Sequence, residues 1–429
     1  MGLKAKIKKI LGDQNLQRIK RVKAAVRYTK TSLPGHGARF TLRSEQWENP
    51  IVFSLPGKHV FFGYYDLQQL NPSQDKMLVT VIGQKSDTRR DPAELKWVNP
   101  STGEYRDIAK TRAWCWQQGA RLRWHPLLEN VVLYNDVQAG HDVMRAYDLE
   151  REREIAVYCR GMYDVTPDFQ YGLSLNYARL QRLRPGYGYN SLPDNTIDQK
   201  VPADDGIFMV DLNTNQKKLI VSYEQLVQLT PEAKEEWNYI NHISISPDGS
   251  RFIFFHLWVP VPGARWKAKL YTALIDGTEL KCLEDEYITS HYTWRDSDTL
   301  LTTSVEFDGK RSFYFVYHVN DNTRETIDRN ELTHDGHPTF FADKMRFITD
   351  TYPLKGCMQH VFESSIGGDE YKPVCDIYSD PRMFDEKRCD LHPRLTPDNQ
   401  IITIDTTCYS GRRSVLLFKR RQKISKGKS

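Results

Sequence analysis

The sequence predicts an all-β fold, a seven-bladed β-propeller preceded by a short basic helix. From about residue 50 onward a unit of roughly 45–60 residues recurs seven times, each with several short strands, which is the signature of a propeller. Aromatic residues make up 12% of the chain and include 23 tyrosines, a composition that favours strands. There is no run of about 18 apolar residues, so the sequence predicts no membrane-spanning helix.

The last unit shows the strand pattern most clearly. Between Cys389 and Phe418, three short strands are separated by a Thr-Pro-Asp-Asn turn (396–399) and a Tyr-Ser-Gly turn (409–411). A ribbon of this size is only marginally stable by itself in water. We therefore expect it to pack on further copies of the same unit.

The repeated units follow one another along most of the chain. Their bounds are His59–Ile108, Thr111–Val157, Tyr158–Val221, Asn238–Leu283, Tyr287–Ile327, His334–Tyr378 and Lys387–Arg420. The third unit contains a long insert, and a helical stretch over 224–236 follows it. We expect an N-terminal strand, either 50–55 or 38–42, to complete the last blade and close the ring. The alternative is two unrelated β domains, which the lack of a Pro/Gly/Ser-rich linker argues against.

Charge is distributed unevenly over the predicted basic N-terminal segment (1–35), propeller (36–420) and basic C-terminal tail (421–429). Residues 1–30 hold ten Lys/Arg and one acidic residue, and residues 419–429 hold six Lys/Arg and no acidic residue. Because the whole chain has a net charge of +5, the body between these ends carries −10. An acidic body argues against a nucleic-acid-binding surface.

The N-terminal segment places apolar side chains at helical spacing, with lysines and arginines between them. The apolar positions are Leu3, Ile7, Ile10, Leu11, Ile19, Val22 and Val26. A basic amphipathic helix of this kind is suited to an anionic membrane surface, and a solvated arm is the alternative. The segment lacks the apolar core and cleavage site of a secretory signal. We therefore expect a cytoplasmic protein, peripheral on the inner membrane of a bacterium.

Four consecutive units carry a histidine at the start of their first strand. These are His242, His291, His337 and His392. First strands of a propeller converge on its central channel, so imidazoles in register could bind a divalent cation, supply a general base, or do both. The alternative is that each histidine only begins its strand and hydrogen-bonds to a neighbouring blade.

The other units place amide, acidic, tyrosine and arginine side chains near the same channel mouth. The candidate substrate-binding residues are Gln118, Asn135, Asp136, Tyr177, Arg182, Arg184 and Tyr187, with Tyr163 and Arg179 beside them. Arginines and tyrosines together suit an acidic sugar, through bidentate bonding to its carboxylate and contact with its ring. Arg179 is the main candidate because it ends the apolar segment YGLSLNYAR. Packing between blades is the alternative for each of these residues.

Several segments resemble a known family of enzymes. HVFFGYYD, TRAWCWQQG, LNYARLQRLRPGYGY, NHISISPDG and LHPRLTPD resemble segments of the seven-bladed propeller polysaccharide lyases, the oligogalacturonate-lyase-like and ulvan-lyase-like families, over about residues 55–418. The resemblance implies β-elimination on uronate-containing glycans and a bound divalent cation (Mn²⁺ or Ca²⁺), without an organic cofactor. The metal ligands that it implies are His242, His337 and His392, with His291 as a further candidate.

The resemblance also implies catalytic roles. Arg179 or the cation would neutralise the uronate carboxylate, His242 would take the proton from C5, and Tyr163 or a water would protonate the leaving oxygen. The expected protein is therefore a lyase that acts on an acidic glycan, in bacterial surface (capsule) polysaccharide metabolism.

Two other functions stay open at the level of sequence. Gln117 and Gln118 stand where a lyase of the ulvan type is expected to place histidine, which favours a non-catalytic propeller that binds glycan or acts as an assembly scaffold. A glycoside hydrolase would instead need a carboxylate pair at the mouth. Asp136 with Asp164 or Asp66 is the pair that the sequence offers.

Overall fold

The computed structural model describes residues 3–32 and 39–422, and for residues 3–14 it describes the backbone alone. Within these ranges, seven antiparallel sheets follow one another along the chain, which we call blades 1–7. The predicted seven-bladed β-propeller is therefore confirmed. Leu3, Ile7, Ile10 and Leu11 lie outside the described side chains, and most of the C-terminal tail lies outside the described residues.

The N-terminal half of the chain contains one long helix and the first three blades. The chain begins with α1 (Leu3–Ser32), β1 (Phe40–Leu42) and β2 (Ile51–Phe53). Blade 1 consists of β3 (Lys58–Phe61), β4 (Met77–Gly83), β5 (Ala93–Val98) and β6 (Tyr105–Thr111). Blade 2 consists of β7 (Arg123–Trp124), β8 (Val131–Gln138), β9 (His141–Asp148) and β10 (Arg153–Tyr158). Blade 3 consists of β11 (Asp164–Val165), β12 (Tyr171–Ser174), β13 (Gly206–Asp211) and β14 (Gln216–Ser222), with α2 (Tyr177–Leu183) between β12 and β13.

The C-terminal half contains blades 4–7. A short helix, α3 (Tyr223–Leu229), and a 3-10 turn (Pro231–Ala233) lead into blade 4. Blade 4 consists of β15 (Trp237–Ile245), β16 (Arg251–Val259), β17 (Lys267–Leu274) and β18 (Lys281–Glu284). Blade 5 consists of β19 (Ile288–Trp294), β20 (Thr299–Val305), β21 (Ser312–His318) and β22 (Thr323–Ile327). Blade 6 consists of β23 (Thr339–Phe340), β24 (Arg346–Asp350), β25 (Met358–Ser365) and β26 (Tyr371–Tyr378), with a 3-10 turn at Lys355–Cys357. After a further 3-10 turn (Asp385–Lys387), blade 7 consists of β27 (Arg394–Leu395), β28 (Ile401–Thr406) and β29 (Ser414–Lys419).

The two N-terminal strands occupy the outer edges of the last two blades. β2 pairs antiparallel with β29, with Ile51 opposite Leu417, and so completes blade 7 as predicted for residues 50–55. β1 pairs instead with β26, with Phe40 opposite Ile377, and becomes the fifth strand of blade 6. Of the two predicted closing strands, the first therefore closes the ring. Because β2 comes from the N-terminal side of the propeller and β29 from its C-terminal end, their pairing holds the ring closed.

The helical stretch predicted over 224–236 is observed as α3 and the 3-10 turn after it. Ser222 starts α3 with a capping box, since its hydroxyl accepts from the Gln225 backbone N–H and the Gln225 side chain accepts from the Ser222 N–H. The backbone leaves helical geometry at Thr230, directly before Pro231. The stretch serves as the connector between blades 3 and 4.

The core lies between the blades, because each sheet is covered on both faces by its neighbours. In β16 all nine residues are buried, which explains why RFIFFHLWV is apolar at seven of nine positions rather than alternating. The first strand of each blade lines the central channel. We call the face where these strands begin the top face; it carries the connectors between blades and the insert of blade 3 (residues 175–205).

Candidate functional site

The backbone turns two of the four predicted histidines into the channel. In β15 the register shifts between Asn241 and Ser244, and His242 within this bulge has a φ of +56°. His392, just before β27, has a φ of +50°. A left-handed backbone is uncommon for histidine, and bulges often re-aim side chains next to functional sites. The left-handed backbone at both positions therefore directs the imidazole into the channel.

The four predicted histidines form one buried cluster at the top face. The ring centroids of His291 and His337 are 4.0 Å apart, and those of His337 and His392 are 4.5 Å apart. The ring of Tyr64, from blade 1, contacts both His242 and His392, at centroid distances of 5.2 and 4.8 Å. All four imidazoles are at most 2% exposed. We call His242, His291, His337 and His392 the histidine cluster.

Three members of the histidine cluster have their tautomer set by the chain. In each, Nδ1 faces an oxygen that can only accept, so Nδ1 carries a proton and Nε2 is the nitrogen that can offer a lone pair to a metal. The acceptors are Asp350 Oδ1 for His337 (2.8 Å), Asp335 Oδ1 for His291 (3.0 Å) and the Gly63 carbonyl for His392 (2.7 Å). The Nε2 atoms of His337 and His392 are buried and have no hydrogen-bond partner among the described residues.

His337, His392 and a carboxylate form a candidate metal centre. Ligand atoms of His337, Asp390 and His392 all lie within 4.8 Å of one another, and the three residues are buried. Imidazole nitrogen and carboxylate oxygen suit divalent ions such as Mn²⁺ or Zn²⁺, and an Nδ1–H bonded to a carboxylate or carbonyl is the usual support for a ligating histidine. The residues present therefore fit a divalent cation. Asp390 also accepts from Arg388 Nε at 3.0 Å.

Asp390 was not among the metal ligands predicted from the sequence. The available signal was its place two residues before His392, in the segment Asp390-Leu391-His392. Of the four predicted ligands, the structure brings His337 and His392 together with Asp390 and places His291 beside His337. His242 lies against Tyr64 and is not part of this group of ligand atoms.

Burial and neighbouring charges set the protonation of the cluster. Burial, with the positive charge of Arg184 next in effect, holds the pKa of His242 well below its ordinary value. Burial likewise lowers the pKa of His392 and of His291. Burial alone would lower the pKa of His337 too, but the adjacent Asp350 carboxylate raises it above the ordinary value. His242 is therefore a neutral imidazole with a free lone pair at neutral pH.

His242 is linked to the predicted catalytic tyrosine. The Tyr163 hydroxyl lies 3.5 Å from His242 Nδ1, accepts from Gln118 Nε2 at 2.5 Å and donates to Asn241 Oδ1 at 3.3 Å. Burial raises the pKa of Tyr163 well above its ordinary value, so the phenol stays protonated. Gln118, Tyr163 and His242 thus form a chain of polar contacts into the channel.

Arg184 supplies a cation beside the histidine cluster. Its guanidinium packs over the rings of Tyr187 (4.3 Å) and Trp266 (4.6 Å). Among the described side chains, those of residues 15–32 and 39–422, no carboxylate or other acceptor bonds to it. The Tyr187 ring in turn lies 5.7 Å from the His242 ring, which places this charge beside the histidine cluster.

Buried polar atoms without partners surround the cluster. Apart from the two histidine nitrogens, the described residues at the channel with such atoms are Tyr64 (Oη), Tyr239 (Oη), Tyr292 (Oη), Asn241 (Nδ2) and Gln118 (Oε1). A buried polar group without a hydrogen bond costs free energy and is rare in folded proteins. Their concentration here indicates a site that is completed by a polar ligand, an ion or water.

The insert of blade 3 covers this site from the top face. Tyr187 Oη accepts from Arg388 Nη2 at 2.6 Å, joining the insert to the connector between blades 6 and 7. Gly186 has a φ of +99° and packs so closely on Glu386 that an added Cβ would lie 3.0 Å from it. A residue with a side chain at this position would keep the insert from packing on the connector. This packing is what encloses the histidine cluster.

Arg179, the predicted catalytic arginine, is placed in the body of the insert. Its side chain is fully buried and donates to the carbonyls of Asn238, Thr196, Gln199 and Lys200 at 2.6 to 3.2 Å. These bonds occupy its N–H groups and tie the insert to blade 4. Its geometry is that of a structural brace, and it is absent from the site that we describe.

Most of the other predicted binding residues also bond to the chain itself. The Asn135 amide donates to the Met162 carbonyl at 2.9 Å, and the Tyr177 hydroxyl donates to the same carbonyl at 2.8 Å. Arg182 donates to Asp194 at 2.6 Å, whereas Asp136 accepts from Arg145 at 2.8 Å. The structure therefore brings Gln118, Tyr163, Arg184 and Tyr187 to the histidine cluster and places Asn135, Tyr177, Asp136 and Arg182 around it or outside it.

The carboxylates considered for hydrolysis are all paired with arginines. Asp66 accepts two bonds from Arg121 at 3.0 Å each, and Asp164 accepts from Arg123 at 2.7 Å. Together with the Asp136–Arg145 pair, they link strands and blades. We therefore develop no hydrolase mechanism from them.

A separate cavity of about 470 Å³ lies at the opposite mouth of the channel. Its lining includes Tyr65 and Tyr292, and Tyr65 also contacts His291 and His337. The Tyr65 hydroxyl donates to the Tyr292 carbonyl and accepts from the Tyr292 N–H, both at 2.8 Å. This pair of tyrosines separates the cavity from the histidine cluster.

Comparison with known proteins supports the fold. An oligogalacturonate lyase in complex with manganese aligns with a TM-score of 0.62 at 14% sequence identity, over 90% of this chain and 98% of that chain. An oligogalacturonate lyase from Vibrio parahaemolyticus aligns with a TM-score of 0.61 at 12% identity, over 89% of this chain and 98% of that chain. The sequence matches no protein-family profile and no curated protein. At these identities the comparisons establish a shared propeller architecture.

Proposed function

We propose that this protein binds an acidic oligosaccharide at the top mouth of the propeller and cleaves it by β-elimination, with a divalent cation held at His337, Asp390 and His392. The observation that carries the proposal is the Arg184 cation, which no described carboxylate pairs and which lies on the Tyr187 ring beside the neutral imidazole of His242. The similarity of fold to two oligogalacturonate lyases supports the choice of substrate class.

β-Elimination from a uronate places three demands on a site. The carboxylate must be neutralised, because this acidifies the neighbouring C5 proton. A base must take that proton, and an acid must protonate the departing glycosidic oxygen. Neutral His242, partly exposed Arg184 and protonated Tyr163 are of the types that these steps need.

Arg184 is the residue that we assign to the carboxylate. A guanidinium binds a carboxylate through two parallel N–H···O bonds, and such charge-assisted bonds are stronger than neutral ones. The other two predicted arginines already donate hydrogen bonds within the protein, Arg179 to backbone carbonyls and Arg182 to the Asp194 carboxylate. Arg184 therefore replaces Arg179 in the proposed mechanism.

His242 is the proposed base, and Tyr163 supports it. With its pKa lowered by burial and by Arg184, the imidazole has a lone pair ready at neutral pH. The Tyr163 hydroxyl, 3.5 Å from His242 Nδ1 and protonated at rest, is the proposed acid: it gives its proton to the departing oxygen and then takes the C5 proton from His242, which restores both groups. Tyr64, whose hydroxyl has no partner among the described residues, is a second proton donor next to His242.

The Tyr64 ring contacts both His242 and His392, one of the residues of the candidate metal centre. A divalent cation held by His337, Asp390 and His392 would supply positive charge to the sugar carboxylate, as a Lewis acid. Asp350 and Gly63 hold the two ligating imidazoles in the right tautomer. Arg388 donates to Asp390 at 3.0 Å and holds its carboxylate in place.

The second candidate is a glycan-binding or assembly scaffold without turnover. It is favoured by the closure of the site, since the insert and the connector meet over the histidine cluster through Tyr187 and Arg388. A lyase would have to open this contact to admit its substrate, which is a familiar requirement for enzymes with lids.

The test is incubation of the purified protein with a panel of oligouronides, with Mn²⁺, Ca²⁺ or a chelator present. A lyase yields the absorbance of a 4,5-unsaturated product, lost in His242→Gln and Arg184→Gln. Binding of an oligouronide without product in any condition would support the scaffold instead. No binding and no product across the panel would reject both functions.

A further inference from the structure

Helix α1 rests on the top face of the propeller along one side only. Lys20 Nζ bonds to the Asp385 carboxylate at 2.7 Å, and the hydroxyls of Thr31 and Tyr378 lie 2.8 Å apart. The Arg382 guanidinium stacks over the Tyr28 ring at 3.7 Å. The docked side of the helix therefore combines polar and aromatic contacts with Leu16 and Ala24, which are the least exposed aliphatic residues of its described side chains.

The opposite side of α1 carries a row of exposed aliphatic side chains. Ile19, Val22 and Val26 are 39%, 62% and 50% exposed. At 100° per residue, Val22 and Val26 lie about 160° from Ala24, which is buried on the docked side. Exposing three such side chains along one face of a surface helix indicates a partner for that face.

The charge of this part of the helix restricts the kind of partner. Residues 15–32 contain six Lys/Arg and no acidic residue. Arg18, Lys23 and Lys30 are exposed and flank the aliphatic row. A cationic rim around an aliphatic row complements anionic lipid headgroups above acyl chains.

We propose that the outer face of α1, formed by Ile19, Val22 and Val26 with its basic rim, lies in the surface of an anionic lipid bilayer. No helix within residues 3–32 and 39–422 is long and apolar enough to cross a membrane. The contact is thus interfacial, with the helix parallel to the bilayer and the propeller on its far side.

The docking of α1 also orients the candidate site. Its contacts at Tyr378, Arg382 and Asp385 lie on the segment that continues into Asp390 and His392. A bilayer on the outer face of α1 therefore lies on the same side of the ring as the histidine cluster. This orientation suits a ligand presented at the membrane, and the lipid contact itself is independent of the proposed lyase activity.

The experiment is co-sedimentation of the full-length protein with vesicles of phosphatidylcholine alone and of phosphatidylcholine mixed with phosphatidylglycerol. We expect binding to the anionic vesicles only, weakened by salt. Substituting Val22→Ser with Val26→Ser should weaken it on the order of tenfold or more, because apolar burial is lost. Arg18→Gln and Lys23→Gln should each weaken it about fivefold. Val261→Ser, at a valine of the propeller that is 48% exposed, is the matched control and should bind as the parent does.

Three results would overturn the proposal. One is equal binding by the parent and the Val22→Ser/Val26→Ser variant, since the outer face would then not be the contact. Another is equal binding to neutral and anionic vesicles, or none to either. The third is a parent that sediments as a dimer, does not bind vesicles, and becomes monomeric in the variant, which would make a second copy the occupant of this face.

Discussion

The Nδ1–H of His337 donates to Asp350 Oδ1 at 2.8 Å, and Asp350 also accepts from the His337 backbone N–H at 2.7 Å. The first contact decides which imidazole nitrogen is free, and the second fixes the side chain relative to its own backbone. With Nδ1 engaged, Nε2 is the atom that His337 can offer to a metal within its group with Asp390 and His392.

Replacing Asp350 with Asn should weaken divalent-metal binding without removing a ligand. The amide can still meet Nδ1–H but no longer carries the charge that makes Nε2 more basic, so we expect affinity to fall roughly 10- to 100-fold. Calorimetric titration of the chelator-treated protein with Mn²⁺ measures this. The control is Asp376→Asn, which alters the Asp376–His360 pair (2.6 Å) elsewhere in blade 6 and should leave affinity unchanged. Equal losses of Mn²⁺ affinity in the two variants would show that Asp350 has no particular role in metal binding.

Metal removal should lower the Tm of the parent protein, but not that of a variant that lacks one of the metal-binding side chains. A cation that binds only the folded state stabilises it by RT ln(1 + [L]/Kd), so saturating Mn²⁺ should raise Tm. His392→Gln removes the Nε2 ligand and should abolish this shift. His360→Gln, at a histidine outside the cluster, should keep it. A Tm shift retained in His392→Gln would mean that Mn²⁺ binds elsewhere.

Arg184→Gln should reduce binding of an acidic oligosaccharide by about 10- to 100-fold, because a hydrogen bond to a charged group contributes roughly 1.5–3 kcal/mol. Fluorescence titration with an oligouronide and with its neutral counterpart measures the effect. Binding of the neutral sugar should change little. Arg182→Gln is the matched control, since Arg182 is already paired with Asp194. A larger loss in Arg182→Gln than in Arg184→Gln would reject the assignment.

Acid should weaken the junction where blade 1 meets blade 7. His59 Nδ1 accepts the Arg413 backbone N–H at 3.1 Å, and burial, followed by the Arg413 charge, lowers the His59 pKa to about 4. Because the folded pKa lies below the unfolded value of 6.5, the unfolded chain binds more protons between these values and stability falls as pH drops through this window. At pH 5 the loss is about 2 kcal/mol.

His59→Asn tests this junction, because its side-chain oxygen can accept the same N–H without titrating. Unfolding in urea at pH 7.5 and pH 5 should show a smaller loss for His59→Asn than for the parent. Other buried histidines, such as His125 and His256, are present in both proteins. Their contributions to the pH dependence of stability therefore cancel when the two proteins are compared. Identical losses would show that His59 does not carry the effect.

Much of the fold could be predicted because the strands of a blade pair with their neighbours in sequence. The turn at 396–399 and the strands on either side of it are local, and their repetition reveals the ring. The sequence could not distinguish between the two candidate closing strands. Both β1 and β2 are short and of similar composition, and only the packing of the ring assigns Ile51–Phe53 to blade 7 and Phe40–Leu42 to blade 6.

The histidine cluster was predictable and its chemistry was not. The spacing of His337 and His392 before their turns placed them on equivalent strands, and so at one mouth. Whether a nitrogen is free depends on Asp350 and on the Gly63 carbonyl, which come from another strand and another blade. Asp390 was missed because its direction is set by the connector between blades 6 and 7, which has no repeat pattern.

By itself, the sequence determined the seven-bladed ring, the register of its histidines and the basic amphipathic character of the N-terminal segment. Only the tertiary structure decided which arginine is available, since Arg179 and Arg184 stand five residues apart on the same insert. Arg179 meets four backbone carbonyls that arrive from residues 196–200 and from Asn238, whereas Arg184 packs on the aromatic faces of Tyr187 and Trp266. The physical reason is that a guanidinium's role depends on the acceptors around it, and those are brought in by chain segments distant in sequence.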